Sequence, residues 1–184
     1  LKVNIYAEGY QSPHHEEFFS RALKVVEVLK THKIPGTAHM EFNAIFAHSN
    51  TPIGSAKDLG TPIPIRDSFL GLYFPYWNKF GRWYHVVYPT DEDKFRTSLA
   101  VSPYDYPIIL VRSSDYWAVG NFRELTAIPS DQARFSYLLI HELGHFFGLN
   151  EEYEGGGRTE LEFAQNIKEP WSQNCLLYKS DAAD

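Results

Sequence analysis

The sequence predicts an α/β fold: a mixed twisted sheet with an N-terminal helix and a second, later helix packed on it. Three observations carry this. Leu1, Val3 and Ile5 alternate with polar residues at the start of the chain, which is the period of a strand. Phe18, Phe19, Ala22, Val25, Val26 and Leu29 then recur at the spacing of a helix with one apolar face. After several strand-like runs the helical period returns at Phe135, Leu138, Leu139, Glu142, Leu143 and Phe146. A strand, a helix, three or four strands and a closing helix make an α/β layer.

The first strand, residues 1–6, is broken at Gly9. The helix after Pro13 carries Glu16 and Glu17 in its first turn, where the helix dipole favours anions, and Pro35 and Gly36 close the connection behind it. Residues 41–48 read as a second strand, with Phe42, Ala44 and Phe46 on one face and Ile45 and Ala47 making the other partly buried. Pro52, Gly54, Gly60, Pro62 and Pro64 are too many breakers for a regular element, so residues 49–64 are expected to form a long surface loop. Residues 69–88 are crowded with rings and strand-like in their second half; most of the rings are expected in the core, with a substrate platform as the other use. Residues 91–100 suit a short helix, 108–111 a buried strand and 116–127 a strand interrupted at Gly120. The closing helix follows Pro129, with Ser130 or Asp131 as its cap, and stops at Gly148.

A length of 184 residues suits one domain, expected to span residues 1–184. With 17 basic against 23 acidic residues the formal net charge is -6, which repels phosphate backbones and anionic lipid. A nucleic-acid partner is therefore not expected, and no apolar stretch is long enough for a membrane span. Cys175 is the only cysteine, so an intrachain disulfide and a cysteine-built structural zinc site are both excluded. A start at Leu1 rather than methionine is expected for a chain that has been processed or trimmed, which leaves room for an export signal already removed.

The chemistry lies in His141-Glu142-Leu143-Gly144-His145. Two histidines four apart on a helix share one face and can share one metal, and neutral imidazoles are good zinc ligands. Glu142 is one position round from His141, where its carboxylate can act as general base toward a water activated by Zn2+ without itself being a ligand. Gly148 and Glu151 extend the motif to His-x-x-x-His-x-x-Gly-x-x-Glu, a spacing at which the chain reverses and returns a third ligand. Glycine serves the reversal because it can take positive φ. Two histidines and Glu151 leave a fourth position for water, which is a catalytic rather than a closed structural arrangement.

Glu152, Glu154, Glu160 and Glu162 are rival third ligands, although spacing favours Glu151. Tyr153 is a candidate to steady an oxyanion, or a packed ring. His14, His15, His32, His39, His48 and His85 lack the paired helical spacing and are not expected to bind metal. Cys175 has no histidine near it in sequence and is expected to be a buried thiol rather than a nucleophile.

These residues resemble the IgA-peptidase-like metallopeptidases of bacteria, the M64 family, whose motif runs His-Glu-x-Gly-His, a short segment with Phe and Gly-Leu, then Asp-Glu-Tyr. The matching run here is His141 to His145, Phe147, Gly148, Leu149 and Glu151-Glu152-Tyr153. Outer matches are Gly9-Tyr10 ahead of the helix with Phe18, then Phe42-Asn43, Pro107 to Val111, Tyr116 and Gly120. Departures are Glu151 in place of the usual aspartate, a link from His145 one residue shorter, and Ala118-Val119 in place of a Gly-Gly stretch. The resemblance implies a metzincin-like single domain, a zinc peptidase acting on protein or peptide substrates, and a secreted or periplasmic location. It does not specify immunoglobulin A as target. Met40, the single methionine, precedes the motif, so the methionine turn of strict metzincins has no counterpart.

Two functions of different class are open to such a sequence: a peptidase, or an inactive zinc-binding or protein-binding module on the same fold. Retention of Glu142, the residue such a module loses most easily, favours the enzyme.

Overall fold

The alternation at the N-terminus becomes β1 (Lys2–Glu8) in a computed structural model that describes residues 1–32, 37–51, 54–56, 67–77, 82–83, 88–112, 118–121, 125–131 and 133–147. After a 3-10 turn at Ser12–His14 the chain forms α1 (His15–Thr31) and returns as β2 (Glu41–Ile45), parallel to β1. β3 (Gly54–Ala56), β4 (Leu72–Trp77), β5 (Arg82–Trp83) and β6 (Tyr88–Pro89) make a small second sheet centred on β4. α2 (Glu92–Leu99) follows, begun by Asp91, whose side chain accepts from the Lys94 amide at 3.0 Å. β7 (Tyr106–Val111), β8 (Val119–Asn121), β9 (Leu125–Pro129) and α3 (Phe135–Phe146) complete the described chain.

The main sheet has the order β2-β1-β7-β9-β8. β2, β1, β7 and β9 run parallel, and β8 closes one edge antiparallel to β9. Parallel strands are covered on both faces, so alternate residues of one strand must serve two different cores. Ile5, Ala7, Ile108, Leu110 and Ile128 pack with Phe18, Val25 and Leu29 of α1 and with Phe135, Leu139 and Leu143 of α3. Tyr6, Ile109, Val111 and Ala127 face the other way, toward Leu70, Leu72, Phe95 and Leu99. Each fully buried Ile or Leu contributes roughly 1.5–3 kcal/mol, so these two clusters set the layer order α1 and α3, sheet, α2.

The mixed sheet carrying the N-terminal and the closing helix agrees with the expected fold class. Several local expectations are corrected. The second strand ends at Ile45 rather than His48. Residues 54–56, expected in a loop, form β3 because they pair with β4, a backbone interaction that leaves no apolar period. The run at 116–127 is two strands, not one: Gly120 pairs with Thr126 across the β8/β9 hairpin. In the aromatic stretch the described residues place β4 in the first half and the short β5 and β6 in the second, where strand was expected. Neither Ser130 nor Asp131 caps α3; Arg134 occupies the cap without a side-chain hydrogen bond, while Ser130 is buried and Asp131 pairs with Arg21 of α1 at 3.3 Å.

Candidate active site

α3 is built to hold one face still. Phe135, Leu139, Leu143 and Phe146 are buried on the sheet side, and the two ends are tied to different elements. At the start, Asp131 meets Arg21; at the end, Phe146 and Phe147 stand edge-on to Tyr106 of β7 at 4.8 and 5.1 Å between ring centroids. The helix therefore crosses from the end of β9 to the beginning of β7.

On this frame His141 and His145 come together. Their rings stand nearly perpendicular, 4.7 Å apart between centroids, with Nε2 to Nε2 at 3.1 Å. A tetrahedral zinc with nitrogen donors at about 2.0–2.1 Å holds them roughly 3.3 Å apart, so the pair fits one ion with little adjustment. Both Nε2 atoms then need to be bare, with the proton of each ring on Nδ1. Glu142, next to His141 in the chain, is only 8% exposed, whereas His141, Gly144 and His145 are half-buried. Burial of a carboxylate is costly without partners, which restricts where its oxygens can rest.

Among the described residues no third histidine, cysteine or carboxylate completes a metal-holding group with the pair. Glu151, its rivals Glu152, Glu154, Glu160 and Glu162, and Gly148, Tyr153 and Cys175 lie outside the described residues. Three of the other described histidines make side-chain contacts elsewhere. His14 Nδ1 accepts from the Gln11 amide at 3.2 Å, His15 packs against Phe19 and Phe46, and His32 Nδ1 lies 2.9 Å from the Val28 carbonyl oxygen.

One neighbour of the pair escaped the sequence reading. Tyr137, one turn before His141, stacks on its ring at 5.7 Å with an interplanar angle of 21°. The signal was present, since continuing the i, i+4 spacing of the two histidines one step back reaches Tyr137.

The described residues thus form a largely parallel α/β core with two neighbouring histidines on α3. The chain matches the IgA peptidase M64 family over residues 1–183, and it belongs to that family of peptidases. No curated protein is similar enough to be matched to it. Among the described residues no helix is long and apolar enough to cross a membrane.

Proposed function

We propose that this chain is a zinc-dependent peptidase in which His141, His145 and Glu151 hold the metal and Glu142 is the general base. The observation that carries the reading is the 3.1 Å approach of the two Nε2 atoms on a helix held to the core by its buried apolar residues, in a member of a peptidase family. A zinc ion held there would supply Lewis-acid polarisation of the scissile carbonyl and acidify the attacking water. Glu142 takes a proton from that water as its oxygen bonds to the carbonyl carbon, and delivers it to the amine nitrogen as the C–N bond breaks. Its buried position beside the pair keeps bulk water from competing for the carboxylate.

Substrate binding follows from the sheet edge. Among the described residues β8 pairs with β9 on one side only, and α3 packs against both strands. An extended peptide can add to that edge by main-chain hydrogen bonds and so lie alongside the histidine helix, which suits protein or peptide substrates. A secreted or periplasmic location accords with such substrates and belongs to the same proposal.

The test is Glu142→Gln beside wild type, measured for zinc stoichiometry, thermal melting and peptide cleavage. The expected result is unchanged zinc and folding with cleavage reduced by about 100-fold to 10,000-fold. Equal cleavage by the two proteins would overturn the mechanism. A wild type that binds zinc and cleaves nothing in screened digests would replace the enzyme with a binding module.

A further inference from the structure

We propose that Tyr137 is a wall for the substrate side chain next to the scissile bond and confers a preference for aliphatic or aromatic residues there. The inference rests on the peptidase reading above and adds a specificity determinant to it.

Within α3 the side chains of Phe135, Leu139, Leu143 and Phe146 are buried and Leu138 and Ile140 are partly buried, whereas Tyr137 is 63% exposed. A single exposed ring is ordinary on a protein surface and would carry nothing alone. Its alignment gives it meaning: Tyr137, His141 and His145 form one stripe at four-residue intervals, and the tyrosine ring lies nearly parallel to that of His141. Four residues of helix advance about 6 Å, while an extended peptide advances roughly 3.3–3.6 Å per residue. A peptide whose scissile bond sits at the histidine pair thus brings a side chain one or two positions away to the open surface of Tyr137. An aliphatic or aromatic side chain would cover that surface and exclude water from it; a charged one would lose hydration without gaining a partner. Because one face of the ring already stacks on His141, its position is set before the substrate arrives, which limits the entropy lost on binding.

The experiment uses the zinc-loaded full chain and matched peptides carrying Leu, Phe, Ala or Asp on either side of a bond that wild type cleaves. Wild type, Tyr137→Ser and Tyr137→Phe are compared by kcat/KM and zinc content. The Leu-to-Ala and Phe-to-Ala ratios at one flanking position are expected to fall roughly tenfold in Tyr137→Ser, near the lower end of what apolar pockets discriminate, and to be restored in Tyr137→Phe. A uniform loss across all peptides, or loss of zinc from Tyr137→Ser, would overturn the proposal and make the ring a prop for His141. A wild type without zinc or without cleavage would overturn the peptidase reading itself, and it would be seen before any variant is compared.

Discussion

The Glu8 carboxylate and the Ser68 hydroxyl, sixty residues apart in the chain, meet at 2.5 Å inside the protein, with Ser68 donating. The same carboxylate accepts from the Leu70 amide at 2.7 Å and the Leu72 amide at 2.9 Å, while Lys94 Nζ donates to the Ser68 carbonyl at 2.8 Å. The end of β1 thus holds the segment that enters β4. Burial pushes the Glu8 carboxyl above its ordinary range, and Ser68, the two amides and Lys94 pull it partly back.

A raised folded-state pKa means that the native chain holds this proton more tightly than the unfolded chain. The stability it contributes is complete below the unfolded carboxylate value and is lost as pH rises through the folded one. Urea unfolding of wild type and Glu8→Gln across the acidic to neutral range should show the wild-type advantage shrinking as pH rises. A difference that is flat or grows with pH would refute it. Glu8→Ala, which strips three donors of their acceptor, should cost at least about 3 kcal/mol at any pH in the range.

For the metal, His145→Ala should abolish zinc binding while leaving the core intact, because the side chain is only half-buried and the apolar face of α3 is untouched. A ligand present at a hundred times its Kd stabilises the native state by about 2.7 kcal/mol. Chelation should therefore lower the Tm of wild type and leave that of His145→Ala unchanged; equal shifts in both would disprove the assignment.

Thr126 lies in the middle of β9 with its hydroxyl buried and without a hydrogen-bond partner among the described residues. Valine has nearly the same shape and suits a strand. Thr126→Val should raise stability by about 1 kcal/mol, since an unsatisfied buried hydroxyl costs on that order. Denaturant midpoints at or below wild type would contradict this.

Arg112, just beyond β7, places Nε 3.2 Å from both carboxylate oxygens of Glu17 on α1, and both side chains are half-buried. Lys24 and Glu27 form a comparable pair at 2.9 Å on the exposed face of the same helix. A double-mutant cycle should give a coupling of about 1 kcal/mol for Arg112 and Glu17, resistant to salt, and under about 0.5 kcal/mol for Lys24 and Glu27, lost in high salt. The reverse ranking would mean that burial does not govern these pairs.

The elements most legible in the sequence are those whose side chains obey one period against one face. α1 and α3 were readable from Phe18 to Leu29 and from Phe135 to Phe146 because their buried residues recur at helical spacing. β3 and the β8/β9 hairpin were not, because Gly54–Ala56 and Val119–Asn121 are held by backbone pairing and have too few residues for a period to emerge. Ser130 and Asp131 have the chemistry of a cap, yet α3 begins later, with Arg134 at its cap, while Ser130 is buried and Asp131 pairs with Arg21.

By itself the sequence determined the histidine pair, since four residues on a helix place His141 and His145 on one face wherever the helix sits. It also determined the α/β class, through the change from alternating to helical period. Only the tertiary structure decided which residues remote in sequence share an environment. The parallel order β2-β1-β7-β9, the burial of Glu8 against Ser68 and the anchoring of α3 by Arg21 and Tyr106 all join residues separated by tens of positions. Local pattern records how each segment presents its faces. Which faces meet is set by the packing of all segments at once, because burial depends on total covered surface and not on neighbours in the chain.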